Sequence, residues 1–204
     1  MLEKPDTRDR ILDASTTLVL QKGFTAMSID DVLAATSLTK GGFFYHFKSK
    51  QDLAKALIQR FSDVELQFMI RLFRRAEELS DDPLQQMLIY LKLLQEEFRP
   101  GGSAATGCLF AAYCYEAQQF DESVLIACST GVQDHRRYVA ERMDRILARY
   151  QPACPVTGAE LSDQLFCVIQ GAFVVARSVG DTQVIVRQIE LARELLKLLF
   201  RPAS

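Results

Sequence analysis

The chain has 204 residues, with 24 Lys and Arg against 26 Asp and Glu, a formal net charge of −2 and 49% apolar residues. This length and apolar content are sufficient for a buried core, and they exclude an intrinsically disordered chain. We find no uninterrupted run of about 18 apolar residues and no apolar stretch near the N-terminus, so we expect no membrane span, no secretion and a cytoplasmic location. The five cysteines include no Cys-x-x-Cys pair, and there are two histidines, so we expect neither a metal site nor a cofactor.

Positive charge is concentrated between residues 33 and 60, which carry five Lys or Arg and one Asp. On a chain that is acidic elsewhere, such a patch suggests one anionic partner that binds at one place. A solvated helix face explains the same pattern and is the commoner meaning of it.

Apolar residues recur at helical spacing along the chain, and no stretch keeps the alternation of a strand. We therefore predict an all-α fold of about nine helices. An N-terminal three-helix unit, residues 1–50, continues into a long fourth helix, and residues 51–204 form a larger helical domain. Thr7 is expected to cap the first helix, and residues 99–107 are expected to form a loop. The predicted helices are 7–21, 28–36, 39–47, 49–79, 83–98, 108–119, 121–150, 157–179 and 183–200.

The second helix, a three-residue turn and the short third helix have the spacing of a helix–turn–helix. Gly41 and Gly42 lie inside the third helix, where each costs roughly 1 kcal/mol relative to Ala, which suggests that a partner such as a duplex phosphate or base edge approaches the backbone closely. Phe43 and Phe47 are expected to pack inward. The candidate DNA contacts, in or beside the span Ser28 to Phe47, are Ser28, Thr39, Lys40, Gly41, Gly42, Phe44, Tyr45, His46 and Lys50.

Residues 39–53, Thr-Lys-Gly-Gly-Phe-Phe-Tyr-His-Phe-Lys-Ser-Lys-Gln-Asp-Leu, resemble the signature of the tetracycline-repressor (TetR) family. The resemblance covers roughly residues 6–60. It departs from the usual pattern at Ser37, where the turn glycine is common, and at Phe44, where Tyr is common. It implies a homodimeric transcriptional regulator, usually a repressor, that places its third helix in the major groove of a palindromic operator and is released by a small-molecule effector.

Other functions remain open at this point. The helix–turn–helix can serve as a scaffold only, and the chain can be a protein-binding adaptor that does not touch DNA. An enzyme would use Cys108 as nucleophile and His135 as base, but the sequence offers no orienting acid at a telling spacing.

Two apolar stripes run along residues 161–179, and the last predicted helix has a similar face. One stripe can pack within its own domain, and the other requires a second subunit unless both are buried in one chain. The resemblance favours a homodimer built from these two helices. The predicted interface residues are Leu161, Leu165, Val168, Ala172, Val175, Ile189 and Leu196.

Members of the family usually bind their effector inside the bundle formed by helices 4 to 8. His135 lies on an apolar stripe and is either a core histidine or a polar group of the pocket. Cys108, in Thr106-Gly107-Cys108-Leu109, resembles the branch that senses electrophiles or acrylate-like compounds, and it is either a reactive thiol or a small packing residue. The other four cysteines are interpreted as structural. The candidate ligand contacts are Phe68, Cys108, Phe110, Tyr113, Cys128 and His135.

Overall fold

The computed structural model describes residues 6–99 and 107–200. Within these two ranges the chain forms nine α-helices, one 3-10 turn (Ala117–Gln119) and no strand, so the all-α prediction is confirmed. Residues 100–106 of the predicted loop lie outside the described residues. The helices are α1 (Thr7–Lys22), α2 (Ile29–Thr36), α3 (Lys40–His46), α4 (Lys50–Leu79), α5 (Pro83–Glu97), α6 (Leu109–Tyr115), α7 (Glu122–Leu147), α8 (Gly158–Val179) and α9 (Gln183–Leu199).

Most helix ends follow from capping chemistry that acts within a few residues. The Ser28 Oγ accepts a hydrogen bond from the Asp31 N–H at 3.1 Å, and the Asp31 carboxylate accepts one from the Ser28 N–H at 2.7 Å. Thr157 and Glu160 form a second capping box at the start of α8, and Gly180 ends that helix at a φ of 71°. The predicted ends at these residues are confirmed, because such caps satisfy the orphan backbone groups locally.

Three predicted helix ends were wrong, and one of them is the end of α7, which lies at Leu147 instead of residue 150. Thr7 is the first residue of α1 rather than its cap, and Asp6 occupies the cap position without a side-chain cap hydrogen bond. The predicted helix over 108–119 ends at Tyr115, because Glu116 leaves the helical path with φ −111° and ψ 23° and is followed by the 3-10 turn. The Glu116 side chain binds a distant loop, and this contact is described below.

The helices form two compact units. The first unit contains the described residues up to Val64 together with Cys108–Val132, and the second contains Glu65–Arg99, Gly107 and Gln133–Phe200. These units follow packing, so α6 belongs to the same unit as the helix–turn–helix. The sequence-based division at residue 50 concerned function, and it stays a prediction.

The core of the first unit contains an aromatic group that fastens the loop after α1. The ring centroid of Phe24 lies 4.8 Å from that of Phe120 and 5.9 Å from that of Tyr113, and the Tyr113 and Phe120 rings stack at 4.4 Å. The Tyr113 hydroxyl donates to the Ala54 carbonyl at 2.9 Å. These contacts connect α6 and α4 with the segment that leads into α2.

In the second unit, α9 packs against α5 and α8. Between other helices of this unit, the Phe73 and Tyr90 rings stack with centroids 3.7 Å apart. The Arg142 guanidinium lies 4.7 Å from the Phe73 centroid and 3.5 Å from that of Tyr138. Cation–π contacts of this kind stabilise a charge that is partly withdrawn from water.

The expectation that nothing in the chain could span a membrane needs one correction. Among the described residues, α8 is long and apolar enough to cross a membrane by length and composition alone. A single helix of this kind is weak evidence for a span, since helices of a packed protein meet the same criterion. In the structure, α8 packs against α9.

Candidate nucleic-acid interface

The turn between α2 and α3 is made by a serine in a left-handed conformation. Ser37 has φ 56° and ψ 34°, and its N–H donates to the Leu33 carbonyl. The same carbonyl accepts the Leu38 N–H at 3.2 Å. Ser37 therefore adopts the backbone conformation that a turn glycine supplies, and the departure from the family pattern leaves a closed helix–turn–helix connection.

Two buried phenylalanines determine which face of α3 is exposed. Phe43 and Phe47 are buried in the core of the first unit, so their predicted inward packing is confirmed. The opposite face presents Lys40 and Phe44 to solvent, together with Tyr45, whose side chain is 86% exposed. The helix is thus anchored on one side and offers cationic and aromatic groups on the other.

The two glycines of α3 leave the backbone of this exposed face bare. A Cβ atom on Gly41 would meet no atom within 4 Å, and one on Gly42 would meet the Thr39 Oγ1 at 3.5 Å. A side chain at position 41 would lie in open space, and one at position 42 would make an ordinary van der Waals contact. Packing inside the chain therefore does not require glycine at either position. A close approach by an external partner is a physical reason for both residues.

Two of the predicted hydroxyl contacts already serve as helix caps. The Thr39 Oγ accepts a hydrogen bond from the Gly42 N–H at 3.2 Å, and the Ser28 Oγ is part of the α2 capping box. The Thr39 oxygen is directed to the backbone, so what this hydroxyl can offer a DNA phosphate is its proton. The Ser28 hydroxyl already donates its proton to the Asp31 carboxylate at 2.7 Å. His46 is half-buried, and its ring packs edge-to-face on Tyr45 with centroids 5.0 Å apart.

Lys50, one of the predicted DNA contacts, lies against the loop that follows α1. Its ammonium lies 4.5 Å from the Phe24 ring centroid and donates to the Thr25 carbonyl at 3.4 Å. Burial lowers the pKa of Lys50, while the nearby Glu116 and Asp31 carboxylates oppose that shift. Lys50 therefore helps to hold the 23–25 loop, whereas Lys40 and Lys48 are exposed.

Comparison with known proteins matches this region to a family. Residues 11–57 match the sequence model of the bacterial regulatory proteins of the tetR family, from within α1 through α3 into α4. The HTH-type transcriptional repressor NemR of Escherichia coli K12 is 27% identical over 128 residues, which are 63% of this chain and 62% of NemR. The chain belongs to the TetR family.

Solved structures share the fold of this TetR-family chain. Reduced NemR from E. coli aligns with a TM-score of 0.77 at 20% identity, over 98% of this chain and 100% of that one. A TetR-family transcriptional regulator from Agrobacterium tumefaciens aligns with a TM-score of 0.79 at 20% identity, over 96% and 98% of the two chains. At this identity the likeness concerns the fold, and the sequence match spans 62% of the length of NemR.

Sequence reasoning missed Glu116, which fastens the helix–turn–helix of this TetR-family chain to α6. Its carboxylate accepts hydrogen bonds from the Phe24 N–H at 2.9 Å, from the Thr25 N–H at 2.7 Å and from the Thr25 hydroxyl. Burial raises the pKa of Glu116, but the hydrogen bonds from Thr25 and Phe24 outweigh it and hold that pKa below its usual range. The partners are 91 and 92 residues apart, so no local sequence signal identifies the contact.

The six candidate effector contacts fall into both units. Cys108, Phe110, Tyr113 and Cys128 belong to the core of the first unit, and Phe68 and His135 belong to the second. Cys108 occupies the cap position of α6, as predicted, and is half-buried. Within the described residues, no group of three or more His, Cys, Asp or Glu is placed to hold a metal ion.

The predicted dimer residues differ in their exposure within a single chain. Four of them are buried within their own chain: Leu165, Ala172, Ile189 and Leu196. Two more, Leu161 and Val168, are half-buried. Val175 is 48% exposed and is therefore the member of the set whose side chain is accessible to a second subunit. The predicted stripe of α8 thus combines inward and outward residues, and the interface itself stays a prediction. The large apolar residues exposed on α8 and α9 are Val174, Val175, Val179, Leu191, Leu195 and Leu198.

Proposed function

We propose that this TetR-family chain is a cytoplasmic transcriptional regulator, most simply a repressor, that binds a palindromic operator as a homodimer. It is released from DNA by a small-molecule effector and performs no catalysis. Residues 1–50 form the DNA-binding domain, and residues 51–204 serve effector binding and dimerisation. The observation that carries the proposal is the exposed face of α3, anchored from behind by the buried Phe43 and Phe47.

On this face, each group has a defined part in DNA binding. Lys40 and Tyr45 supply a cation and a hydroxyl donor for phosphates, and the half-buried His46 supplies a second donor. The bare backbone at Gly41 allows α3 to lie deep in the major groove. Phosphate contacts of this kind position the protein, and the few groups nearest the bases select the sequence.

The exposed apolar residues of α8 and α9 support the homodimer. Leu191, Leu195 and Leu198 are spaced by four and three residues, and so they share one face of α9. Val175 and Val179 form a similar stripe on α8. A second copy that pairs α8 and α9 with their mates would cover both stripes in a four-helix interface.

Effector release follows from linkage between two conformations of the dimer. An effector that binds more tightly to the conformation whose two α3 helices do not match the operator shifts the population away from DNA. The interior of the second unit offers polar groups for such a ligand. Glu65 is half-buried, and burial raises the pKa of its carboxyl group. Its charge also acts on the buried Tyr90 hydroxyl.

DNA binding is tested with duplex DNA from the intergenic region upstream of the chain's own gene. We expect Lys40→Ala with Tyr45→Ala to weaken binding at least about tenfold and to lower the salt slope of log K by about 2, one phosphate contact in each subunit. The matched control is Lys92→Ala with Tyr115→Ala, because Tyr115 is also strongly exposed, at 72%, and neither residue lies in α3.

The controls separate the competing functions. A palindromic footprint and steep salt dependence are expected for the regulator. Equal losses in the two double variants would contradict the assigned contacts, and no binding by the wild-type chain would favour the adaptor or the enzyme. Effectors are then sought as small metabolites or electrophiles that raise the melting temperature and also release the DNA.

A further inference from the structure

Phe44 is an apolar side chain that lies on the exposed side of α3. It is 42% exposed, and Lys40 and Gly41, which precede it by four and three residues, share its side of the helix and are also exposed. The opposite side is occupied by Phe43 and Phe47, which belong to the core of the first unit. A single exposed apolar residue is common on protein surfaces, so the position of Phe44 beside the cationic Lys40 is what requires an explanation.

The Phe44 ring is supported by the core beneath it. It packs edge-to-face on the Phe43 ring, with centroids 5.3 Å apart and an angle of 88° between the ring planes. Phe43 is itself fully buried. Because this neighbour is fixed, the Phe44 side chain has little rotational freedom left to lose when a partner covers it.

The surface beside the ring is open to a partner. A Cβ atom on Gly41, one turn before Phe44, would meet no atom within 4 Å. Helical side chains lean toward the N-terminus of their helix, so Phe44 extends toward the turn that contains Gly41. An external group therefore reaches the ring from this side without displacing a side chain at position 41.

The chemistry of the ring limits what it contacts on DNA. A phenyl ring has no hydrogen-bonding atom, so Phe44 binds neither a phosphate oxygen nor the polar edge of a base. In the major groove, the apolar group at the edges of the base pairs is the C5 methyl of thymine. Burial of that methyl against the ring removes apolar surface of both partners from water.

We infer that Phe44 is a specificity-determining residue that packs against one thymine methyl group in each operator half-site. The inference rests on the proposed function, because it requires α3 to lie in the major groove. It adds to that function a preference for thymine at one symmetric pair of operator positions. Lys40 and Tyr45, in contrast, are assigned to phosphates, and such contacts position the helix without selecting a base.

The methyl group is isolated by comparing thymine with uracil, which differ by this group alone. The intergenic duplex is prepared in two forms, with thymine or with uracil at every thymine position. Burial of one methyl group is worth about fourfold in an equilibrium constant, so two half-sites give about fifteenfold. We therefore expect the full-length wild-type protein to bind the uracil duplex about fifteenfold more weakly than the thymine duplex.

Two substitutions remove the ring, and a third leaves it in place. In Phe44→Ala and Phe44→Gln, we expect the ratio of the two affinities to be at least about fivefold smaller than in the wild type. Both introduce good helix formers, so each keeps the test decisive if the other disturbs α3. Tyr45→Ala is the matched control, because Tyr45 is exposed at the next position of α3. It is expected to weaken binding to both duplexes and to keep the wild-type ratio.

A second measurement locates the contact on the DNA. The thymines of the protected footprint are replaced by uracil one at a time. One symmetric pair of positions is expected to account for the loss in the wild type, and the same positions are expected to have no effect in Phe44→Ala. Any change that uracil makes to the shape of the duplex is common to all the proteins, so it cancels when their ratios are compared.

The outcomes separate this inference from the proposed function. Equal affinity of the wild-type protein for the two duplexes would overturn the thymine contact, as would an unchanged ratio in the Phe44 variants or a ratio lost in Tyr45→Ala. In each of these cases DNA binding, and with it the proposed function, still stands. If the wild-type protein binds neither duplex, both the proposed function and the thymine contact are excluded.

Discussion

At the scale of single residues, Ser37 has a backbone conformation that is unfavourable for a residue with a side chain. It is the non-glycine residue with positive φ among those that the structure describes. A left-handed conformation costs roughly 1–2 kcal/mol in an L-residue with a Cβ atom. The conformation of Ser37 in the turn that orients α3 therefore lowers the free energy of unfolding of the protein.

We expect Ser37→Gly to raise the free energy of unfolding by about 1 kcal/mol, because glycine adopts this conformation without the Cβ clash. The measurement is chemical denaturation, with near-unchanged DNA affinity in the same variant. Ser178→Gly is the control, since Ser178 lies inside α8 with helical geometry. There glycine is expected to destabilise by roughly 0.5–1 kcal/mol, and stabilisation by both substitutions would contradict the argument.

At the scale of elements, the connection between α6 and the 23–25 loop depends on the ionised form of Glu116. Its folded-state pKa lies below the ordinary value of 4.5, so the stabilisation is complete above that pH and is lost as the pH falls through the lower folded value. We expect Glu116→Gln to lower stability at pH 7 by on the order of 1 kcal/mol, after allowance for partial exposure.

The check on Glu116 is a set of unfolding curves between pH 7 and low pH. The wild-type and Glu116→Gln proteins are expected to converge in stability once the pH is well below 4.5. Glu141→Gln, an exposed change on α7, serves as the control. A constant difference at every pH would show that the lost charge is not the cause.

Helix ends divide into those with local causes and those with distant ones. Helix starts at residues 28 and 157 were predicted from the sequence, and at each of them the donor and acceptor of the cap lie three residues apart. The early end of α6 was not predicted, because the Glu116 carboxylate accepts hydrogen bonds from backbone N–H groups more than 90 residues away. The inward placement of Lys50 has the same origin, since its partners are on the 23–25 loop.

At the scale of the whole molecule, the proposed dimer depends on the outward stripes of α8 and α9. We expect Val175→Glu to convert the dimer to monomers and to reduce DNA affinity at least about tenfold, because it places a charge in a desolvated interface. Sedimentation and DNA titration measure the two effects. Val64→Glu is the matched control, since Val64 is 53% exposed on α4, and an intact Val175→Glu dimer would exclude this interface.

The sequence by itself determined the helical fold, the helix–turn–helix and the residues on the exposed face of α3. These features depend on apolar periodicity and on caps that act within about four residues. The tertiary structure decided which residues of α8 face inward, where the Lys50 ammonium binds and which backbone groups the Glu116 carboxylate contacts. Those features depend on contacts between elements that are distant in sequence, and local composition does not specify such contacts.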